Sequence, residues 1–370
     1  MTALFDPAAF DIPPGVAHVC AGGESAPLRS HADAFATYLR DKASGMAGRD
    51  AQEAAIARVR ERVGQMWNVP ARDVGFVSNV AEGISMLAES LAFGPGDSIL
   101  VEGNEYPSVV LPFLMAAPGA PRVRVARGTG PDRLLEAIDA TTRMVAVSYV
   151  SYLNGERFDL ERLRARADEV GALLVVDYTQ AAGNLPIDAS LADFAFSACY
   201  KWLLGVTGSA IAVWNAKRQP DWRPATAGWY SVAGQGRVDY TAPPTLRADA
   251  LRFTRGNPSH VSLYVLDGAL AFLAAHDAQA LQAHIQGLTT DLHARLLAAG
   301  LSPSTPVDPN RHGASICLDG DFPDAVIGAF EQRGVRLWGN RGRLRISFHG
   351  YNAAADVDRI MAAVPEVLGR

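Results

Sequence analysis

The sequence predicts an α/β protein, with a mainly parallel seven-stranded sheet in a large domain (residues 1–250) and a smaller α+β domain (residues 251–370). Three observations predict it. At 370 residues the chain exceeds one ordinary core and favours two domains. Between Val74 and Trp214, short apolar runs alternate with amphipathic ones, the pattern of a parallel sheet covered on both faces. After residue 250, two helical stretches give way to strands and a final helix.

The strands follow in order. Val74–Ser78, Ser98–Val101, Arg122–Val125, Met144–Ser148, Leu173–Val176, Phe194–Phe196 and Ala210–Trp214 read as strands. Helical periodicity lies between many of them, as at Glu82–Phe93 and Leu160–Val170. Ala51–Trp67 reads as an amphipathic helix ahead of the sheet, charged at Arg58, Arg60, Glu61 and Arg62. Pro220–Arg247, rich in Gly, Pro and aromatics, reads as a long active-site or interface loop. Helices are expected at Ser259–Ala275, Ala278–Ala299 and Ala354–Leu368, and strands at Ala314–Leu318 and Leu344–Ser347.

Composition excludes several classes. Hydrophobic residues make up 49% and charged residues 20%, as in an ordinary globular protein. A formal charge of -5 and scattered Lys and Arg, densest from Arg333 to Arg345, argue against a nucleic-acid partner. No apolar run reaches membrane-spanning length, and Met1–Pro14 lacks a signal-peptide pattern. Cys20, Cys199 and Cys317 form no framework or C-x-x-C pair, which fits reduced thiols in a cytoplasmic protein. The histidines show no H-x-x-x-H spacing, so no metal site is expected.

Two residues carry chemistry. Asp177 ends the apolar run Leu173–Val176, where ligands of such sheets sit. Lys201 lies in the apolar, aromatic turn Tyr200–Gly205. Pyridoxal phosphate (PLP) needs this pair: an acid keeps the pyridine nitrogen protonated, and a lysine holds the aldehyde as a Schiff base and later moves the proton. Burial readily lowers a lysine's pKa and frees the neutral amine.

With Gln180 three positions after Asp177, the D-x-x-Q strand end and the Tyr200-Lys201 turn resemble the class V aminotransferase group of fold-type I PLP enzymes. That group includes cysteine desulfurases, kynureninase and isopenicillin N epimerase-like proteins, and the resemblance runs from about Val74 to the C-terminus. It implies the PLP-dependent transferase fold and a role for each matching residue. Asn79, Val80 and Ala81 grip the cofactor phosphate at a helix N-terminus, although Val80 and Ala81 stand where hydroxyl residues are common and offer only backbone N–H groups. Asn79 and Glu82 also match a capping box. Tyr106 stacks on the pyridine ring, Gln180 donates to its phenolic oxygen, and Tyr200 reaches the phosphate. Asn257, with the Gly228-Trp229 segment, faces the cofactor of a partner subunit, so a homodimer with shared sites is expected. Arg345, in Leu344–Ser347, takes the substrate α-carboxylate through its planar fork.

The resemblance departs from the desulfurases at one point. They carry a nucleophilic cysteine before this last strand, whereas residues 337–343 hold none, and Cys317 reads as a buried, inert thiol. The expected activity is PLP chemistry on an amino acid, with transamination as the default. C–S or C–C bond cleavage or epimerisation is the alternative on the same scaffold, and a non-catalytic sensor a remote one. A nicotinamide-dependent oxidoreductase would need a G-x-G-x-x-G turn, which Ser78–Gly83 lacks.

Overall fold

The structure is a computed structural model that describes residues 1–115, 121–128, 130–234, 239–340 and 342–369. Arg341, and residues 235–238 of the long loop, lie outside the described residues. In chain order the elements are β1 (Ala17–Val19), α1 (His31–Ala43), α2 (Met46–Met66), β2 (Val74–Val77), α3 (Val80–Ser90), β3 (Ser98–Glu102), α4 (Pro107–Leu114), β4 (Arg122–Ala126), α5 (Arg133–Glu136), β5 (Thr142–Ser148), α6 (Leu160–Val170), β6 (Leu173–Asp177), β7 (Phe194–Ala198) and β8 (Ala210–Trp214). Then come α7 (His260–Ala274), α8 (Ala278–Ala298), β9 (Ser315–Asp319), α9 (Asp324–Gln332), β10 (Val335–Gly339), β11 (Arg343–Ser347) and α10 (Ala354–Leu368).

The first sheet has seven strands in the order β2-β8-β7-β6-β5-β3-β4. Five of them, from β7 to β4, run parallel; β8 is antiparallel to both its neighbours. Alternate residues feed two separate cores. Val145, Val147, Leu174 and Val176 join the cluster that includes α2 and α7, while Met144, Ala146 and Val175 join the one under α3 and α4. Burial on both faces explains why these strands are continuously apolar.

Local signals fix several boundaries. Asp159 caps α6 by accepting from Arg162 N, and Gly171 ends it in the left-handed region. Asp277 caps α8 in the same way. Asn79 caps α3 by accepting from Glu82 N at 2.9 Å, so the helix starts two residues before the expected Glu82. Only this half of the expected capping box forms. The Glu82 carboxylate reaches past Asn79 to Ser78, accepting from its N at 2.7 Å and its Oγ at 2.6 Å.

The second sheet has the order β1-β10-β11-β9. Its first strand comes from the chain's start: Ala17–Val19 runs parallel to Val335–Leu337. We propose a division of the main body near residue 250, with this N-terminal strand docked across it. Asn352 ties the two ends, donating from Nδ2 to His18 O at 3.1 Å. The loop leaving β1 is thereby held between the two sheets, against both Gln180 and Ser347.

Candidate active site

Asp177 ends β6, and Ser148, at the end of β5, sits beside it in register. The carboxylate of Asp177 is buried and accepts from Thr179 N at 2.9 Å. Burial pushes its carboxyl above the usual range; the Thr179 bonds and the Lys201 charge pull it back.

Lys201 is 7% exposed, in a turn whose backbone puts Leu204 in the left-handed region at φ 57°. A non-glycine residue there stores strain of the kind found at functional sites. The turn is held from outside. His349 Nε2 donates to Trp202 O at 2.9 Å, while its Nδ1 accepts from Gly350 N at 2.8 Å. Burial keeps that imidazole neutral, with its pKa down at about 4. Lys201 Nζ lies 5.6 Å from the ring centroids of both Tyr106 and Tyr200. Burial, then the charge of Arg345, pulls its pKa down to about 8, and Asp177 and Glu24 act in the opposite direction.

Arg345 is 4% exposed on β11. Its Nη1 donates to Tyr152 O at 2.9 Å, and its guanidinium lies 4.6 Å from the Trp338 ring centroid. The Tyr152 ring meets Tyr106 edge-on at 4.9 Å. Lysine, carboxylate, arginine and aromatic rings, drawn from five separate stretches of sequence, thus share one site.

The other expected residues fall in two groups. Gln180 belongs with Lys201: its Nε2 donates to Gly22 O at 3.0 Å and its Oε1 accepts from Trp202 Nε1 at 3.1 Å. Asn79, Val80 and Ala81 begin α3, where Asn79 is exposed and Val80 buried. Ser78 and Glu82, flanking them, line a cavity of about 140 Å³ together with Gly208 and Asn257. Asn257 is exposed and accepts from Arg49 Nη2 at 2.6 Å. Trp229 is 59% exposed, and Tyr230 N beside it donates to Arg255 O at 3.4 Å, so its segment and that of Asn257 are neighbours.

Three residues of the site are absent from the sequence-based set. Glu24, in the loop after β1, raises the pKa of Lys201, and Ser25 Oγ donates to Tyr200 O at 3.4 Å. Cys20, in the same loop, feels the charge of Arg345, but burial holds its thiol protonated. Glu105 accepts from Ser148 N at 2.7 Å, from Ser148 Oγ and from Tyr106 N at 2.6 Å. Burial pushes its pKa up to about 7, and those bonds pull the other way. Adjacency to Tyr106 was the one sequence signal for Glu105.

The site fits PLP on its own chemistry. A buried amine titrating near 8 suits covalent capture of an aldehyde, a buried carboxylate at a strand end suits a protonated ring nitrogen, and the ring of Tyr106 beside the amine suits stacking. When bound, the cofactor supplies a sink for the electron pair released at the substrate Cα.

Fold and site define a PLP-dependent enzyme of fold type I. The chain belongs to the aminotransferase class-V family, whose model matches residues 32–360. It is 25% identical over 342 residues to a probable cysteine desulfurase of Methanothermobacter thermautotrophicus, covering 85% of this chain and 84% of that one. The apo structure of a cysteine desulfurase from Thermococcus onnurineus NA1 superposes with a TM-score of 0.89 at 19% identity, covering 100% of both chains. The cystine C–S lyase C-DES, in complex with its reaction product cysteine persulfide, superposes with a TM-score of 0.84 at 19% identity, covering 94% of this chain and 97% of that one.

Proposed function

We propose that this protein is a C–S lyase acting on a sulfur-containing amino acid, rather than the aminotransferase that is the default from sequence. The observation that carries the proposal is the state of the thiols around Arg345. Residues 337–343 hold no cysteine. Cys317, paired with Arg345 across β9 and β11, is buried with its pKa pushed up to about 11, and burial raises Cys20 as well. A protonated thiol is a poor nucleophile. Sulfur cleaved from the substrate therefore leaves with the small product instead of passing to the protein. The similarity to cysteine desulfurases and to a cystine C–S lyase supports the bond cleaved.

In this reading Arg345 binds the substrate carboxylate in a bidentate pair. Tyr106 stacks on the cofactor, with Asn79, Val80 and Ala81 at its phosphate, assisted by Tyr200, and Gln180 at its phenolic oxygen. Asp177 holds the proton on the ring nitrogen, and the amine of Lys201 removes the Cα proton. Loss of the sulfur at Cβ follows: cystine and water yield pyruvate, ammonium and cysteine persulfide, with no oxidant. Asn257 and Trp229 face a second copy of the chain in a homodimer, and a cytoplasmic location fits the reduced thiols.

The test is a product assay on the PLP-loaded protein with cystine and cysteine. Pyruvate formed without an added keto acid is the expected result. Alanine with a protein-bound persulfide would make the protein a desulfurase, and dependence on a keto-acid acceptor would restore transamination.

A further inference from the structure

Three neighbouring strand ends carry an acid, a hydroxyl and a second acid. In the first sheet β5 lies between β3 and β6. Glu105 follows β3, Ser148 ends β5 and Asp177 ends β6. Ser148 and Asp177 are paired in register, and each falls on the face of the residue two before it, Ala146 and Val175. Neighbours of this kind stand about 5 Å apart, so the Ser148 hydroxyl is within reach of either carboxylate.

A serine hydroxyl has one proton to give. Here it goes to Glu105: Ser148 Oγ donates to Oε1, and Ser148 N donates to Oε2 at 2.7 Å. Tyr106 N adds a third bond, to Oε1 at 2.6 Å. Both oxygens of Glu105 therefore face donors, an arrangement that suits the ionised acid although burial opposes its charge. Among the described residues, Asp177 accepts from Thr179 and receives nothing from Ser148.

The division matters for the cofactor. A hydrogen bond donated to a carboxylate stabilises its charge and makes it a weaker base. One such bond lowers the basicity by roughly tenfold or more. A Ser148 hydroxyl turned toward Asp177 would loosen its hold on a proton shared with the ring nitrogen. The negative charge of Glu105, repelling that of Asp177, acts in the same helpful sense.

We propose that Glu105 is a positioning residue for the reaction: by taking the Ser148 hydroxyl it keeps that donor off Asp177, which stays basic enough to hold the proton on the cofactor's ring nitrogen. The proposal rests on the reading of Asp177 as the partner of that nitrogen. It gives the acid beside Tyr106 a task exerted through its neighbour, without contact with the substrate.

The test is the nitrogen-15 resonance of PLP labelled at its ring nitrogen and bound to the protein at one mildly alkaline pH, since the shift separates a protonated nitrogen from a bare one. Glu105→Met offers the hydroxyl no acceptor and should move the resonance toward the unprotonated value. Ser148→Ala alone should leave it at the wild-type position. Ser148→Ala added to Glu105→Met should move it back toward wild type, because no hydroxyl is left to reach Asp177; only the effect of the lost charge remains. A packing role predicts no such rescue, since the second loss then adds to the first. Glu105→Gln, similar in size and with one acceptor oxygen, should give a smaller displacement in the same sense, and it carries the test if Glu105→Met does not fold. The proposal is overturned if Asp177→Asn displaces the resonance while the Glu105 variants leave it in place. It is overturned too if Ser148→Ala has the same effect in both backgrounds, or if neither Glu105 variant folds. If Asp177→Asn leaves the resonance in place, the reading of Asp177 fails and takes the proposal with it. No turnover enters these readings, so absence of pyruvate from cystine would sink the lyase reading and leave this one standing.

Discussion

The electrostatics of Lys201 make a measurable prediction. An ordinary lysine titrates at 10.5, whereas burial and Arg345 bring this one to about 8. At pH 7 the neutral amine is then roughly one molecule in ten, against about three in ten thousand for an unperturbed lysine. Only the neutral form attacks an aldehyde, so capture of PLP by the cofactor-free protein should speed up about tenfold per pH unit below 8 and level off above it. Stopped-flow absorbance measures this directly.

The neighbours set the direction of each variant. Arg345→Gln removes a cation that disfavours the ammonium, so the midpoint rises; one unit of rise slows capture about tenfold at pH 7. Asp177→Asn and Glu24→Gln remove anions that favour the ammonium, so the midpoint falls. Saturating propionate offsets the charge of Arg345 and should raise the wild-type midpoint, with no such effect in Arg345→Gln. By reciprocity, propionate should bind more tightly below the midpoint than above it. A profile that titrates near 10.5, or a midpoint unmoved by Arg345→Gln, refutes the reasoning.

Asp177→Asn should still take up PLP, yet lose turnover by roughly 10²-fold or more, because a neutral amide no longer holds the ring nitrogen's proton; near-native kcat would contradict the role. Arg345→Lys should raise KM for amino acids strongly while barely changing reaction with an amine that lacks a carboxylate, since a point charge replaces a fork. Replacing Cys20, Cys199 and Cys317 together by serine should leave most turnover in a folded protein, and abolition of activity with cofactor uptake intact would restore a protein thiol to the mechanism. Gly183→Ala should cost upwards of about 3 kcal/mol in urea unfolding, because Gly183 sits at φ 96° and its Cβ would come 2.2 Å from Trp202 O. A cost under about 1 kcal/mol would contradict that packing.

Six strands of the first sheet are legible because burial leaves a continuous apolar signature in each run, while the edge strand β4, Arg122–Ala126, is read from its alternating arginines and valines. Helix α6 was legible to the residue, because an Asp cap and a terminal Gly bracket it. Strand β1 was not: three residues, Ala17–Val19, give no period, and pairing with Val335–Leu337 fixes them as strand. Strand β10 was equally hidden, since the arginine and tryptophan of Val335–Gly339 read as loop until β1 and β11 flank it. Helix α4 begins at Pro107, a favourable first position, but Pro112 inside it argues against a helix until Val109 and Phe113 pack into the core with α3 and the sheet.

The site divides along the same line. Asp177, Gln180 and Lys201 were legible because strand, turn and lysine lie within 25 residues and their order carries the chemistry. Glu24 and Gly22 were not, because nothing local marks them: one is an acid in a polar loop, the other one of 34 glycines. Glu24 matters through its charge near Lys201, and Gly22 through Gln180, whose amide spans 158 residues to reach the Gly22 carbonyl while its oxygen accepts from Trp202. With both ends of that amide committed, its orientation is fixed. A residue read from sequence as a single contact is thereby the joint that ties the first loop to the lysine turn.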